Sequence, residues 1–215
     1  MPIKEFTEQE KVWRSHFGEE YNKRNTYTNE ELDEVFKKVI GISRTEINKE
    51  FINEIDRESK ILEVGCNIGM MLVNLQKTGF KNLSGIEIQP KAIETAKLRS
   101  EGINFTEGSA YSLPYSDNDF DMVFTCHVLI HLPPDKIRIA LGEMVRCSRK
   151  YIYCEEYYAD EITEIKNYHG KNNIVWKRDF EKLISSEFKD LKLIKSKKYK
   201  YTGSENIETV FLFSK

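Results

Sequence analysis

No stretch of about 18 consecutive apolar residues occurs in this 215-residue chain, so no membrane-spanning helix is expected. The opening residues, MPIKEFTEQEKVW, contain no apolar signal core, and the expected location is the cytoplasm. Cysteine is sparse. Cys66, Cys126, Cys147 and Cys154 form no C-x-x-C pair, which argues against a zinc ribbon or a thioredoxin-like site and leaves four reduced thiols as the expectation. There is no excess of positive charge: 33 Lys and Arg stand against 35 Asp and Glu, a formal net charge of -2. A domain that lives on nucleic-acid phosphates is usually clearly basic, so nucleic acid is not the expected partner. Internal repeats, low-complexity tracts and long linkers are absent too.

What remains is an ordinary globular composition, 40% hydrophobic and 32% charged, at a length that suits one α/β domain. Residues 1–58 read as a helical cap. In TNEELDEVFKKVIG, Thr28 or Asn29 can cap a helix whose apolar face is Leu32, Val35, Phe36 and Val39, and Gly41 sits where it would stop. From residue 59 to 215 the pattern is that of one compact unit. KILEV, NLSGIEI, INFTEG, FDMVFT and KYIYCEEYY read as short strands. GMMLVNLQKTG, PKAIETAKLRSEG, DKIRIALGEMVRCS and KRDFEKLISSEF read as helices, the second opened by Pro90. The alternation predicts βαβ units and a parallel sheet covered on both faces. LKLIKSKKYKY and IETVFLFSK, separated by a short polar turn, add two late strands that must pair antiparallel with each other or lie apart in the sheet.

The segment ILEVGCNIGM (Ile61–Met70) is a strand entering a helix through a tight loop, the place where open α/β sheets bind ligands. It fails the dinucleotide fingerprint G-x-G-x-x-G, because the register reads Gly65, Asn67, Met70. A side chain at 67 crowds a pyrophosphate, and no G-K-[ST] follows to make a P-loop. Gly65-x-x-x-Gly69 suits a ligand without phosphates, with Asn67 in a left-handed turn position. Glu87 closes the second strand, where an acid can bridge the ribose 2′- and 3′-hydroxyls. The loop therefore reads as a nucleoside site, with S-adenosylmethionine (SAM) the candidate ligand and S-adenosylhomocysteine (SAH) its product. Glu63 and Glu87 could equally be solvated acids at strand ends.

Together, LEVGCNIG, GIEIQPKAIETAK, EGSAYSLP and FDMVFTCHVLIHL resemble the motifs of class I SAM-dependent methyltransferases. The resemblance implies a Rossmann-like, mostly parallel sheet with an antiparallel last strand and an N-terminal helical lid. It also implies cofactor contacts from Tyr21, Arg24, Glu63, Gly65, Asn67, Gly69, Glu87, Ile88, Ser109, Ala110 and Cys126. Two departures stand out: Asn67 replaces a glycine, and Ser109 replaces the Asp that many relatives use to accept from the adenine amino group. Over nearly the whole chain from Trp13, the segments FGEEYNKRN, VLIHLPPD, YIYCEEYY, YHGKNN and WKRDF resemble a narrower group, the bacterial methyltransferases associated with pseudaminic acid biosynthesis and flagellin glycosylation.

Methyl transfer from a sulfonium is an in-line displacement that depends mainly on positioning, and a hydroxyl or ammonium acceptor also needs a base. His127 lies just past the fourth strand and is the first candidate. His131 would share a helix face with it if a helix has begun, or would pack against Pro133. A metal at these two histidines lacks an evident third ligand, so no metal is expected. Arg24 can pair with the methionine carboxylate and Tyr21 can line the methyl channel if the first helices form a lid. Glu155 and Tyr157, at the end of YIYCEEYY, are expected on the ligand side. The chain has no [DN]-P-P-[YF] loop and no Pro-Cys pair, which favours a small polar acceptor, a pseudaminic-acid-type sugar, its nucleotide conjugate or a precursor. The alternatives are a tRNA or rRNA methyltransferase, or a SAM-binding protein without activity.

Overall fold

The structure, a computed structural model, describes residues 5–215; the first four residues of the segment read above for a signal core lie outside the described residues. Four helices come first: α1 (Glu8–Arg14), α2 (His16–Arg24), α3 (Asn29–Ile40) and α4 (Arg44–Ile52). Local chemistry sets their ends. Thr7, Thr28 and Ser43 each close a capping box with a glutamate three residues on, and Gly41 ends α3 at φ 81°.

Alternation follows: β1 (Lys60–Val64), α5 (Met70–Lys77), β2 (Asn82–Glu87), α6 (Pro90–Arg99), β3 (Ile103–Glu107), β4 (Phe120–Cys126), α7 (Ile137–Cys147) and β5 (Ser148–Tyr158). A two-stranded ribbon, β6 (Thr163–Glu164) and β7 (Trp176–Lys177), leads to α8 (Phe180–Glu187), β8 (Lys192–Lys200) and β9 (Ile207–Ser214). Asp179 caps α8 by accepting from the Lys182 N–H at 2.8 Å.

The large sheet has the order β3-β2-β1-β4-β5-β9-β8. The first five strands are parallel, and β9 runs antiparallel between β5 and the edge strand β8. The central strands bury both faces, alternate residues pointing to opposite sides, whereas the edge strand β8 is largely exposed. Leu62, Val123, Ile152 and Phe211 pack with α7 and α8 on one side. Ile61, Met122, Phe124, Tyr153 and Val210 pack with α4 and α5 on the other. The buried α4 residues Ile47, Phe51 and Ile52 thus form part of the sheet's own core. Chain direction away from β1 reverses, β2 lying on one side and β4 on the other, so a crevice opens above the carboxyl ends of these strands. No helix among the described residues is long and apolar enough to cross a membrane.

Candidate active site

The loop after β1 is folded onto β2. Gly65 and Cys66 both donate from backbone N–H to the Ile86 carbonyl, at 2.8 and 3.1 Å. Gly65 has φ 73°, and a Cβ there would lie 2.6 Å from the Val128 side chain. Asn67 takes the left-handed conformation expected of it, at φ 48°. Close packing of loop and sheet is supplied by β2: a Cβ on Gly85 would meet the Cys66 Sγ at 2.5 Å.

Glu87 secures the loop. Its Oε2 accepts from the Asn67 N–H at 2.8 Å, and its Oε1 from the N–H groups of Ile88 and Gln89 at 2.8 and 3.0 Å. An ionised carboxylate offers about four acceptor positions, so about one is left for a ribose hydroxyl where sequence reasoning anticipates a bridge to two. Burial raises the Glu87 pKa in spite of these bonds and of nearby Arg14. Glu63, at the end of β1, is buried with Oε2 unpartnered, and its pKa is pushed up to about 8 by burial, with Arg44 opposing and Glu87 reinforcing.

Two cavities meet over this loop. One, of about 140 Å³, runs beneath α1 between Ile88, Ala110 and Leu132. The other, of about 470 Å³, is polar and aromatic, with Arg24, Tyr157, Tyr168 and Tyr201 in its walls. Both are bordered by Tyr21, Gly65, Asn67, Cys126 and His127. At that junction a ligand in the first cavity can touch a ligand in the second.

His127 stands at that junction with φ 54°. Its N–H donates to the Glu155 carbonyl at 2.8 Å, its ring lies on Tyr157 at a centroid distance of 4.9 Å, and its Nε2 is 3.3 Å from Glu208 Oε2. Glu208, buried on β9 directly opposite Tyr157, also accepts from the Tyr201 hydroxyl at 2.9 Å. Burial pulls the His127 pKa down, but the Glu208 carboxylate outweighs it and holds the imidazole well above its ordinary value. The glutamate shifts down correspondingly: His127 overcomes its burial.

The neighbouring acids have different duties. Glu155 lines neither cavity; fully buried, it is ion-paired with Arg44 of α4, and the expectation of a ligand-facing Glu155 is corrected accordingly. Packing decides this, since Arg44 is itself buried and has to be neutralised. Glu156 accepts from the N–H groups of Val128, Leu129 and Ile130 at 3.1, 3.1 and 3.3 Å and so fixes the turn that carries His127. No α-helix has begun there. A short 3-10 turn spans Leu129–His131, α7 starts only at Ile137, and His127 and His131 do not share a helix face. His131 points its Nδ1 at the Ile174 carbonyl, 2.9 Å away, and packs on Trp13. His127, Glu155 and Glu208 bring possible ligand atoms within 4.8 Å of one another. The Arg44 guanidinium already supplies a cation to Glu155 in that cluster.

Of the other expected residues, Tyr21, Ile88, Ala110 and Cys126 line the first cavity and Arg24, Glu63 and Tyr157 the second. Gly69 precedes α5 at φ 78° and borders neither. The Ser109 hydroxyl donates to Glu10 of α1. Residues unanticipated from the sequence are Glu10, Trp13, Arg44, Tyr201 and Glu208. Only Glu208 carried a signal: it shares a strand face with Val210 and Leu212, an acid in an otherwise apolar stripe.

Residues 62–151 match the family model described as a methyltransferase domain. The fold is the Rossmann-like fold of class I methyltransferases. An uncharacterized methyltransferase of Schizosaccharomyces pombe is 34% identical over 47% of this chain and 41% of its own length. The chain spans about two fifths of the length of the first curated relatives it matches, between 36% and 41%. Among solved structures, a SAM-dependent methyltransferase from Methanosarcina mazei superposes with a TM-score of 0.64 at 19% identity, over 76% of this chain and 95% of that one. Magnesium protoporphyrin IX methyltransferase from Synechocystis, crystallised with SAH, reaches 0.69 at 10% identity, over 96% and 97%.

Proposed function

We propose that this protein is a SAM-dependent methyltransferase acting on a small polar acceptor. The observation that carries the reading is the junction of two cavities at Gly65, Asn67, Cys126 and His127, on a methyltransferase fold. A nucleoside fits the first cavity, with Glu87 at its ribose and the apolar slot at its base. SAM supplies a methyl group on a sulfonium. Glu87 and the loop N–H groups orient the nucleoside, and Arg24 binds the methionine carboxylate at the second cavity. His127, at the junction, takes the acceptor's proton when its imidazole is neutral, and Glu208 stabilises the imidazolium that results. Tyr21, Tyr157 and Tyr168 restrict water at the acceptor.

The acceptor we favour is a pseudaminic-acid-type sugar, its nucleotide conjugate or a precursor. Support comes from the unusual segments FGEEYNKRN and EEYY…YHG, whose Tyr21, Arg24, Tyr157, Tyr168 and His169 meet in one cavity wall. Aromatic faces and hydroxyls in that combination suit a polyhydroxylated ring.

Thermal denaturation with added nucleotides tests the cofactor half. SAH at 100 times its Kd should add about 2.7 kcal/mol, a rise of roughly 5–10 °C for a chain this long. NAD and ATP should add nothing. A shift with NAD and none with SAH refutes the reading. Turnover of labelled SAM against a panel of nonulosonic sugars and precursors tests the acceptor.

A further inference from the structure

The first cavity also runs beneath α1, which lines it with Gln9, Glu10 and Trp13. Its walls mix apolar residues, Ile88, Ala110 and Leu132, with polar ones. One is the Glu10 carboxylate. Its Oε2 accepts from the Thr7 N–H at 2.7 Å, completing the capping box of α1, and its Oε1 accepts from the Ser109 hydroxyl. About two of its four acceptor positions stay open. Two further groups in the same wall lack partners, the Tyr111 hydroxyl and the Trp13 indole N–H. Burial and the charge of Glu10 both raise the Tyr111 pKa, consistent with the proximity of the two side chains.

We infer that Glu10, carried by the lid helix and not by the sheet, accepts a hydrogen bond from the exocyclic amino group of the bound nucleoside's base. The inference rests on the nucleoside reading above. With its ribose at Glu87, a flat base can lie between Ile88 and Ala110, in the cavity that Glu10 also lines. The base there meets a charged acceptor, which suits an amino group and repels a carbonyl oxygen. Ser109, the residue sequence reasoning puts in this role, has its proton committed to Glu10 and acts as a tether for it. One side chain thereby links the docking of α1 to recognition of the base. A docked lid reads the base; an undocked lid leaves the sheet with a serine in place of a carboxylate.

Calorimetry on the full chain can separate the possibilities, with SAH and its 6-oxo counterpart S-inosylhomocysteine as probes. The wild type should favour the amino compound by roughly tenfold or more, the range expected for a charge-assisted bond. Glu10→Gln keeps the capping box, since glutamine also serves at that position. Its amide can turn N–H toward a 6-oxo group, so the preference should fall by roughly tenfold or reverse. Adding Ser109→Asp to Glu10→Gln returns a carboxylate to the spot and should restore the preference for SAH. Equal binding of the two probes by the wild type overturns the assignment without any variant. A wild-type ratio in a folded Glu10→Gln protein overturns it too. Failure of the wild type to bind SAH at all removes the nucleoside reading itself, and this inference with it.

Discussion

Nε2 of His127 lies 3.3 Å from a carboxylate oxygen of Glu208, which the fold brings across from the last strand. The glutamate is buried and its other contact on the same oxygen is the Tyr201 hydroxyl, so solvent screens the pair poorly. The imidazole is held protonated to a pH above its ordinary value. A rate that requires neutral His127 therefore rises with pH through that raised value. Glu208→Gln removes the charge that raises it, and the rising limb of the pH–rate profile should move down by roughly 1–3 units, the usual effect of one close opposite charge. An unmoved limb would separate Glu208 from the proton transfer. His127→Ala should lower turnover by about 10²–10⁴ while SAH affinity stays nearly constant.

Arg24 is exposed on α2 at the rim of the second cavity and has no carboxylate partner among the described residues. Arg24→Ala should raise the Kd for SAH by roughly tenfold or more, as loss of a charge-assisted bond predicts. Adenosine, which has no carboxylate, should bind both proteins alike. Titration of each ligand checks this, and equal weakening of both would indicate a displaced lid helix and no ion pair.

Arg44 and Glu155 are a buried ion pair. Arg44→Met alone leaves Glu155 uncompensated and should cost about 3–5 kcal/mol. Arg44→Met with Glu155→Gln should recover most of that loss, because the charge is removed along with its partner. Chemical denaturation of the three proteins measures the difference. If the double variant is as weak as the single one, Arg44 acts through packing.

His131 is half-buried between Trp13 and the Ile174 carbonyl, and desolvation, with neighbouring His127, depresses its pKa to about 4 despite the carbonyl. The folded protein therefore prefers this imidazole neutral. The contribution is fully present above about pH 6.5, the unfolded value, and is lost as pH falls through about 4, at most ~3 kcal/mol. His131→Gln should flatten that segment of the stability curve. Denaturation midpoints at several pH values between 4 and 7 test it; an unchanged slope would show that other groups set the acid sensitivity.

The loop after β1 was readable because its chemistry is local. Gly65, Asn67 and Gly69 announce positive φ by residue type alone, and Glu87 is found by its distance along one βαβ unit. Pro90, Thr28 and Gly41 mark helix ends by the same local logic. The far side of the crevice, around β5, was less readable. YIYCEEYY has two adjacent acids pointing to opposite faces, and pattern alone does not say which face meets a ligand. In the fold neither does: Glu155 neutralises Arg44, and Glu156 holds the turn under His127.

The strand and helix sequence, the parallel sheet and the tight glycine-bearing loop after β1 were determined by the sequence itself, since period-2 and period-3.6 patterns and turn residues act within a few positions. Tertiary structure decided the partners. Glu208 reaches His127 only because β9 inserts antiparallel beside β5, and Glu10 reaches Ser109 only because α1 docks over the crevice. Arg44 is a surface-type residue by composition and an interior one by placement. Each of these pairs is separated by tens of residues, and charge neutralisation in a buried space, unlike a turn or a cap, has no signature in neighbouring letters.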